Sequence, residues 1–158
     1  MFDSLGLSRR DVGAGLAIAG SAYVAASLFA LFNLFSGSGR GNPGATLGII
    51  VTPVLALTVA TVVWRVVMPE EPNPRYGAMA GAISGAVAVF LFTALVGITA
   101  IVLEAPTIGP PTSGTVFEAI EFLALIVGLG LLITLPFIVP IAATVGYGYE
   151  RYVARGQA

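Results

Sequence analysis

The residues of this chain that could do chemistry are few, and the most suggestive are three glutamates. Glu104 ends one apolar stretch, and Glu118 and Glu121 begin the next. A spacing of three residues places the last two carboxylates on one face of a helix. Carboxylate oxygens bind Ca²⁺ and Mg²⁺, so the three residues form a candidate outer cation site. Capping and solvation are the competing interpretation, because Thr115 and Glu118 also fit a capping box.

The residue types that are missing exclude several chemistries. The 158 residues include no His and no Cys, and all seven basic residues are arginines. Thiolate nucleophiles, disulfides, histidine-bound metals and lysine Schiff bases are therefore excluded. A net charge of −1 leaves no strongly basic surface for nucleic acid. We expect no cofactor, no metal and no enzymatic activity, and keep as an alternative an enzyme acting at the membrane surface through acidic, Tyr, Ser or Arg side chains.

The composition predicts an integral membrane protein. Hydrophobic residues make up 57% of the chain and charged residues 9%, against about 45–50% and about 25% in soluble domains. The mean hydropathy is +0.97. The use of Arg without Lys and the acidic isoelectric point of about 5.2 resemble the composition of proteins from salt-loving archaea. We therefore expect an archaeal or bacterial source.

Four apolar stretches are long enough to cross a bilayer, which takes about 20 residues. These spans cover residues 12–35, 46–68, 77–103 and 117–149, and segments rich in Gly, Pro, Ser and Asn separate them. The sequence thus predicts an all-α membrane protein, a four-transmembrane-helix bundle in one domain over residues 1–158.

The arginines predict the orientation. Six of the seven fall on one side of the membrane, namely Arg9, Arg10, Arg65, Arg75, Arg151 and Arg155, and Arg40 falls on the other. The positive-inside rule then places both termini in the cytoplasm (N-in, C-in) of a multi-pass protein in the cell (plasma) membrane. Trp64 is expected at the cytoplasmic interface, where amphipathic rings are favoured.

The N-terminus has two interpretations. Ser8-Arg9-Arg10 resembles a twin-arginine export signal. However, the apolar run that follows, residues 12–35, is longer than a signal core. Ser8 and Asp11 also fit a capping box at a helix start, which is the interpretation we favour.

Glycines at every fourth position predict close helix packing. The third span begins with Gly77, Gly81 and Gly85, a flat stripe that a neighbouring backbone can approach. The first span has a weaker stripe, formed by Gly13, Ala17 and Ser21. The stripes form either a seam between subunits or a contact between the first and third spans within one chain.

Three prolines lie inside the predicted spans: Pro53 in the second, and Pro136 and Pro140 in the fourth. Each removes a backbone hydrogen bond and predicts a helix kink. Such kinks are static in most membrane helices, and in transporters they form hinges or ion sites.

The two halves of the chain are similar enough to suggest a duplicated helical hairpin. Gly13-Ala14 recurs as Gly77-Ala78, and the segment 47–52 before Pro53 resembles the segment 129–134 before Pro136. Shared membrane composition is the alternative explanation. A duplication predicts that the third and fourth spans are longer than the first two, because residues 117–128 have no counterpart in the second span.

The sequence favours a non-catalytic multi-pass membrane protein of unknown process. It would be an accessory or structural subunit, or a self-associating membrane component, with the lipid bilayer and other membrane subunits or a second copy as partners. The alternative is a small transporter or channel for a neutral or cationic solute, built from duplicated hairpins.

Overall fold

The computed structural model describes residues 8–35, 43–69, 71–108 and 113–156, except the side chains of residues 33, 43–47, 104–108 and 113. Within these ranges the chain forms four α-helices and no strand: α1 Arg9–Phe35, α2 Pro43–Val67, α3 Pro74–Ile108 and α4 Ser113–Gly156. All four are long and apolar enough to span a membrane. The predicted all-helical architecture with four apolar spans is therefore confirmed.

Local signals at the helix starts explain where two helices begin. The Ser8 hydroxyl accepts a hydrogen bond from the Asp11 amide at 3.1 Å, and the Asp11 carboxylate accepts one from the Ser8 amide at 2.9 Å. This is the predicted capping box of α1. Before α3, the Asn73 side chain accepts a bond from the Arg75 amide at 3.0 Å, and Pro74 occupies the first helical position, where it is favoured.

The capping box expected at the start of the fourth span is wrong. Helix α4 begins at Ser113, which places Thr115 inside the first turn rather than at the N-cap. The sequence placed the helix start too late because it followed the hydrophobic pattern, whereas the helix continues beyond the apolar residues.

The third and fourth helices are longer than the first two. Helices α1 and α2 have 27 and 25 residues, and α3 and α4 have 35 and 44. At 1.5 Å per residue, α4 is about 66 Å long, whereas a bilayer with its headgroups is about 40–45 Å thick. If α4 crosses the bilayer, it must therefore tilt or project beyond the bilayer at one or both ends.

Helices that are neighbours in sequence pack most extensively, so that α1 pairs with α2 and α3 with α4. The two hairpins meet through α2 with α3 and through α1 with α4. We call the end of the bundle that holds Arg10, Pro69 and Glu150 the Arg10 end, and the opposite end the far end. The buried core lies in the half nearer the Arg10 end and consists mostly of alanines: Ala14, Ile18, Ala56, Ala60, Trp64, Ala80 and Ala142.

The glycine stripe of α3 packs inside the chain, against α4. A Cβ atom built on Gly81 would lie closer than 3.0 Å to the backbone carbonyl of Ala142, and one on Gly85 would lie 2.9 Å from the Ala142 methyl group. Gly77 meets the backbone carbonyl of Gly146. The contact that the structure shows is with α4 of the same chain, and not with the first span. The regular spacing reveals a surface for close approach, but it does not identify the helix that approaches.

The residues of the weaker stripe of α1 have different surroundings. Gly13 faces Tyr149 of α4, and Ser21 lines a cavity described below. Ala17 is half-buried. Pro53 lies inside α2, and Pro136 and Pro140 lie inside α4, which continue as helices on both sides of the prolines.

Candidate functional site

A polar network at the Arg10 end holds the most buried charge in the described part of the chain. The Glu150 side chain has no exposed surface. Arg10 donates to both of its carboxylate oxygens, through Nε at 3.0 Å and through an Nη atom at 2.5 Å. The indole N–H of Trp64 donates to the same carboxylate at 2.9 Å. This two-point contact between Arg and a carboxylate adds geometric specificity to a charge-assisted hydrogen bond.

The network also reaches the backbone of the surrounding elements. Arg10 donates to the carbonyl of Pro69 at 3.0 Å, and the Tyr149 hydroxyl donates to the carbonyl of Arg10 at 3.0 Å. The rings of Trp64 and Tyr149 meet edge to face, with centroids 6.2 Å apart. The network therefore joins α1, α2, the connection that follows α2, and α4.

Glycines on neighbouring helices make room for three members of the network. Gly13 of α1 lies against the Tyr149 hydroxyl, Gly77 of α3 against the Glu150 side chain, and Gly146 of α4 against the Trp64 ring. A Cβ atom at any of these glycines would lie closer than 3.0 Å to its neighbour. The glycines at the start of the stripes thus serve the polar network as well as backbone packing.

The sequence pattern did not identify Glu150. It placed Arg10 as a membrane anchor and Trp64 at the cytoplasmic interface, and it did not reveal that Trp64 is fully buried inside the bundle. One signal was available, because Glu150 is the only acidic residue of α4 after Glu121. Its partners are 86 and 140 residues away in sequence, a separation that no local pattern can reveal.

The second feature of the bundle is an apolar cavity of about 340 Å³ between the two hairpins. Its lining comes from all four helices, and none of the 18 lining residues is charged. The lining hydroxyls of Ser21 and Thr93 donate to carbonyls of their own helices, at 2.7 Å and 3.0 Å, and Thr134 likewise donates to the carbonyl of Gly130. These three hydroxyls therefore have an acceptor for their O–H group without a ligand, and the fourth lining hydroxyl is that of Thr52.

The three outer glutamates are not brought together by what the structure describes. Glu118 and Glu121 are exposed on α4, and the side chain of Glu104 lies outside the described residues. Within the described ranges no group of three acidic side chains is close enough to hold a metal ion. The outer cation site stays a prediction.

Comparison of the chain with known protein families, with curated proteins and with solved structures found no match.

Proposed function

We propose that this chain is a non-catalytic, multi-pass component of the cell membrane, with both termini in the cytoplasm. In this role it binds another membrane protein or a second copy of itself and acts as an accessory or structural subunit. The observation that carries the proposal is that the buried polar side chains of the described residues are bonded to one another or to the backbone. Every buried side-chain nitrogen or oxygen among them has a hydrogen-bond partner, and the buried acid Glu150 is neutralised by Arg10.

The partner would bind the exposed surface of α4. None of the residues in the most apolar 18-residue window of α4 is buried. Ala124 and Gly128 lie one turn apart on this surface, and a Cβ atom at Gly128 would meet nothing within 4 Å. A pair of small residues at this spacing lets another helix approach closely in a bilayer. We call Ala124 and Gly128 the α4 face.

The test is purification from native membranes in mild detergent, with mass and composition measured together. We expect the wild-type chain to carry a partner, or a second copy, at fixed stoichiometry. Gly128→Leu should abolish this association, because the larger side chain keeps the partner helix away. The matched control is Gly148→Leu, which fills equally open space about 30 Å further along the same helix. Association that survives Gly128→Leu, or a wild-type chain that purifies alone as a monomer, would contradict the proposal.

The cavity gives less support to the transporter alternative. Transport of a cation needs polar groups that replace its hydration shell, and no lining residue is charged. The only polar side chains of the lining are four hydroxyl groups, those of Ser21, Thr52, Thr93 and Thr134. The lining of the cavity therefore favours an accessory or structural subunit over a cation transporter.

The repeat belongs to the same proposal. Two hairpins of successive helices, α1 with α2 and α3 with α4, support a duplicated hairpin in which both copies have the same orientation. Such a duplication has a pseudo-two-fold axis along the membrane normal. The longer α3 and α4 would then result from an added segment in the second copy.

A further inference from the structure

The cavity between the hairpins is open to the outside of the bundle. Phe29 of α1 and Ile141 of α4 both line it, yet 59% of the surface of Phe29 and 47% of that of Ile141 are exposed. The lining residues of α1 extend from Ile18 to Phe29, a distance of about 16 Å along the helix axis. The cavity is therefore a lengthwise groove that lies within the apolar spans of all four helices.

Water is a poor occupant of this groove. A buried water needs two to four polar partners. Three of the four lining hydroxyls, those of Ser21, Thr93 and Thr134, already donate to carbonyls of their own helices, and the fourth is that of Thr52. An empty groove is also unfavourable, because its lining atoms lose their dispersion contacts. A dry apolar cavity of about 150 Å³ in a soluble protein binds benzene. The volume here is more than twice as large.

We propose that this groove is a binding site for one acyl chain of a membrane phospholipid. The groove lies in helix segments apolar enough to be surrounded by lipid chains, so its exposed rim meets hydrocarbon. An acyl chain that enters past Phe29 and Ile141 contacts small apolar side chains such as Ala25, Ala88 and Ala142. Because the chain carries no polar group, it loses no hydrogen bonds on entry. The acyl chain fills the space between the two hairpins and contacts both.

The experiment uses phosphatidylcholine with a photoactivatable diazirine in its acyl chain. The full chain is reconstituted in vesicles of this lipid, extracted into digitonin and washed without lipid, so that only firmly bound lipid remains. Native mass spectrometry then counts the lipids per chain, and irradiation followed by peptide mapping locates them. We expect one retained phospholipid per chain, with adducts on cavity residues of α1 and α3 such as Ala25 and Val89.

Two neighbouring substitutions on α1 separate the groove from the outer surface. Ala25→Phe fills the groove and should lower lipid retention at least fivefold. Val24→Phe adds the same ring to the adjacent residue, which is 56% exposed and does not line the groove, and should retain lipid as the wild type does. The fluorescence of Trp64, the only tryptophan, reports that the Arg10 end stays packed in each variant.

The following results would overturn the proposal. They are a wild-type chain that retains no lipid, adducts found only outside the groove, and equal retention in two folded variants. A groove that holds a helix of a second copy would give a lipid-free dimer, which also overturns it. The proposal does not depend on the α4 face, because Gly128 does not line the groove.

Discussion

The buried Glu150 carboxylate needs specific side chains around it. A charge in an apolar interior is costly unless it is paired and hydrogen-bonded. Glu150 has no exposed surface, and it accepts hydrogen bonds from Arg10 and from the Trp64 indole. Removing one partner from a buried pair destabilises more than the pair itself stabilises, because an uncompensated charge is left behind. The network therefore makes the position of α1 depend on α4.

We predict that Glu150→Gln destabilises the protein by about 2–3 kcal/mol, below the usual range for a broken buried pair. The effect is moderated because 18% of the Arg10 side chain is exposed and can be solvated. The measurement is the free energy of unfolding by SDS titration in mild micelles, followed by circular dichroism and Trp64 fluorescence. Glu121→Gln, at an exposed position of α4, is the control and should change stability little. Equal stability of the two variants would show that the ion pair contributes nothing.

Packing between α3 and α4 depends on the absence of side chains. Lipid gives helices no hydrophobic reason to associate, so close backbone approach and dispersion contacts hold them together. The stripe of Gly77, Gly81 and Gly85 allows this approach against Gly146 and Ala142. The periodic glycines were visible in the sequence, and their role in packing follows from spacing alone. Their partner did not follow, because a glycine surface is equally suited to any helix with small residues.

We predict that Gly81→Ala destabilises the protein by about 1–3 kcal/mol, as overpacking does. The added methyl group would lie closer than 3.0 Å to the Ala142 carbonyl, and a backbone cannot move aside cheaply. Gly148→Ala is the matched control, because a Cβ atom there meets nothing within 4 Å. It should stabilise the protein by up to about 1 kcal/mol through helix propensity. The same SDS titration measures both, and a Gly81→Ala variant as stable as Gly148→Ala would contradict the packing.

The molecule consists of two hairpins joined tightly at one end and separated by a groove. Contacts at the Arg10 end involve both charged side chains and alanine packing, whereas the groove lies between the hairpins away from the network. Helix α4 is about 66 Å long, so it tilts in the bilayer or projects beyond it. Residues near its two ends are exposed in the structure and can report the orientation that the arginines predict.

We predict that single cysteines at the two ends of α4 label from opposite sides of the membrane. The chain has no native cysteine, and Gly114 and Gly156 are both exposed. With both termini in the cytoplasm, Gly114→Cys should react with an impermeant maleimide on intact cells. Gly156→Cys should react only after permeabilisation. The opposite labelling pattern would place both termini outside the cell. Labelling of both cysteines in intact cells would contradict a helix α4 that spans the membrane.

The four apolar helices, their order and the cap of α1 follow from sequence because their causes are local. Hydrophobic length requires a helix in a bilayer, and Ser8 and Asp11 are three residues apart. The partner of the glycine stripe, the burial of Trp64 and the ion pair of Arg10 with Glu150 became clear only in the folded chain. Each is a contact between residues far apart in sequence, and many helix arrangements satisfy the same hydrophobic pattern. The groove has the same origin, since it is the space that four helices leave between them.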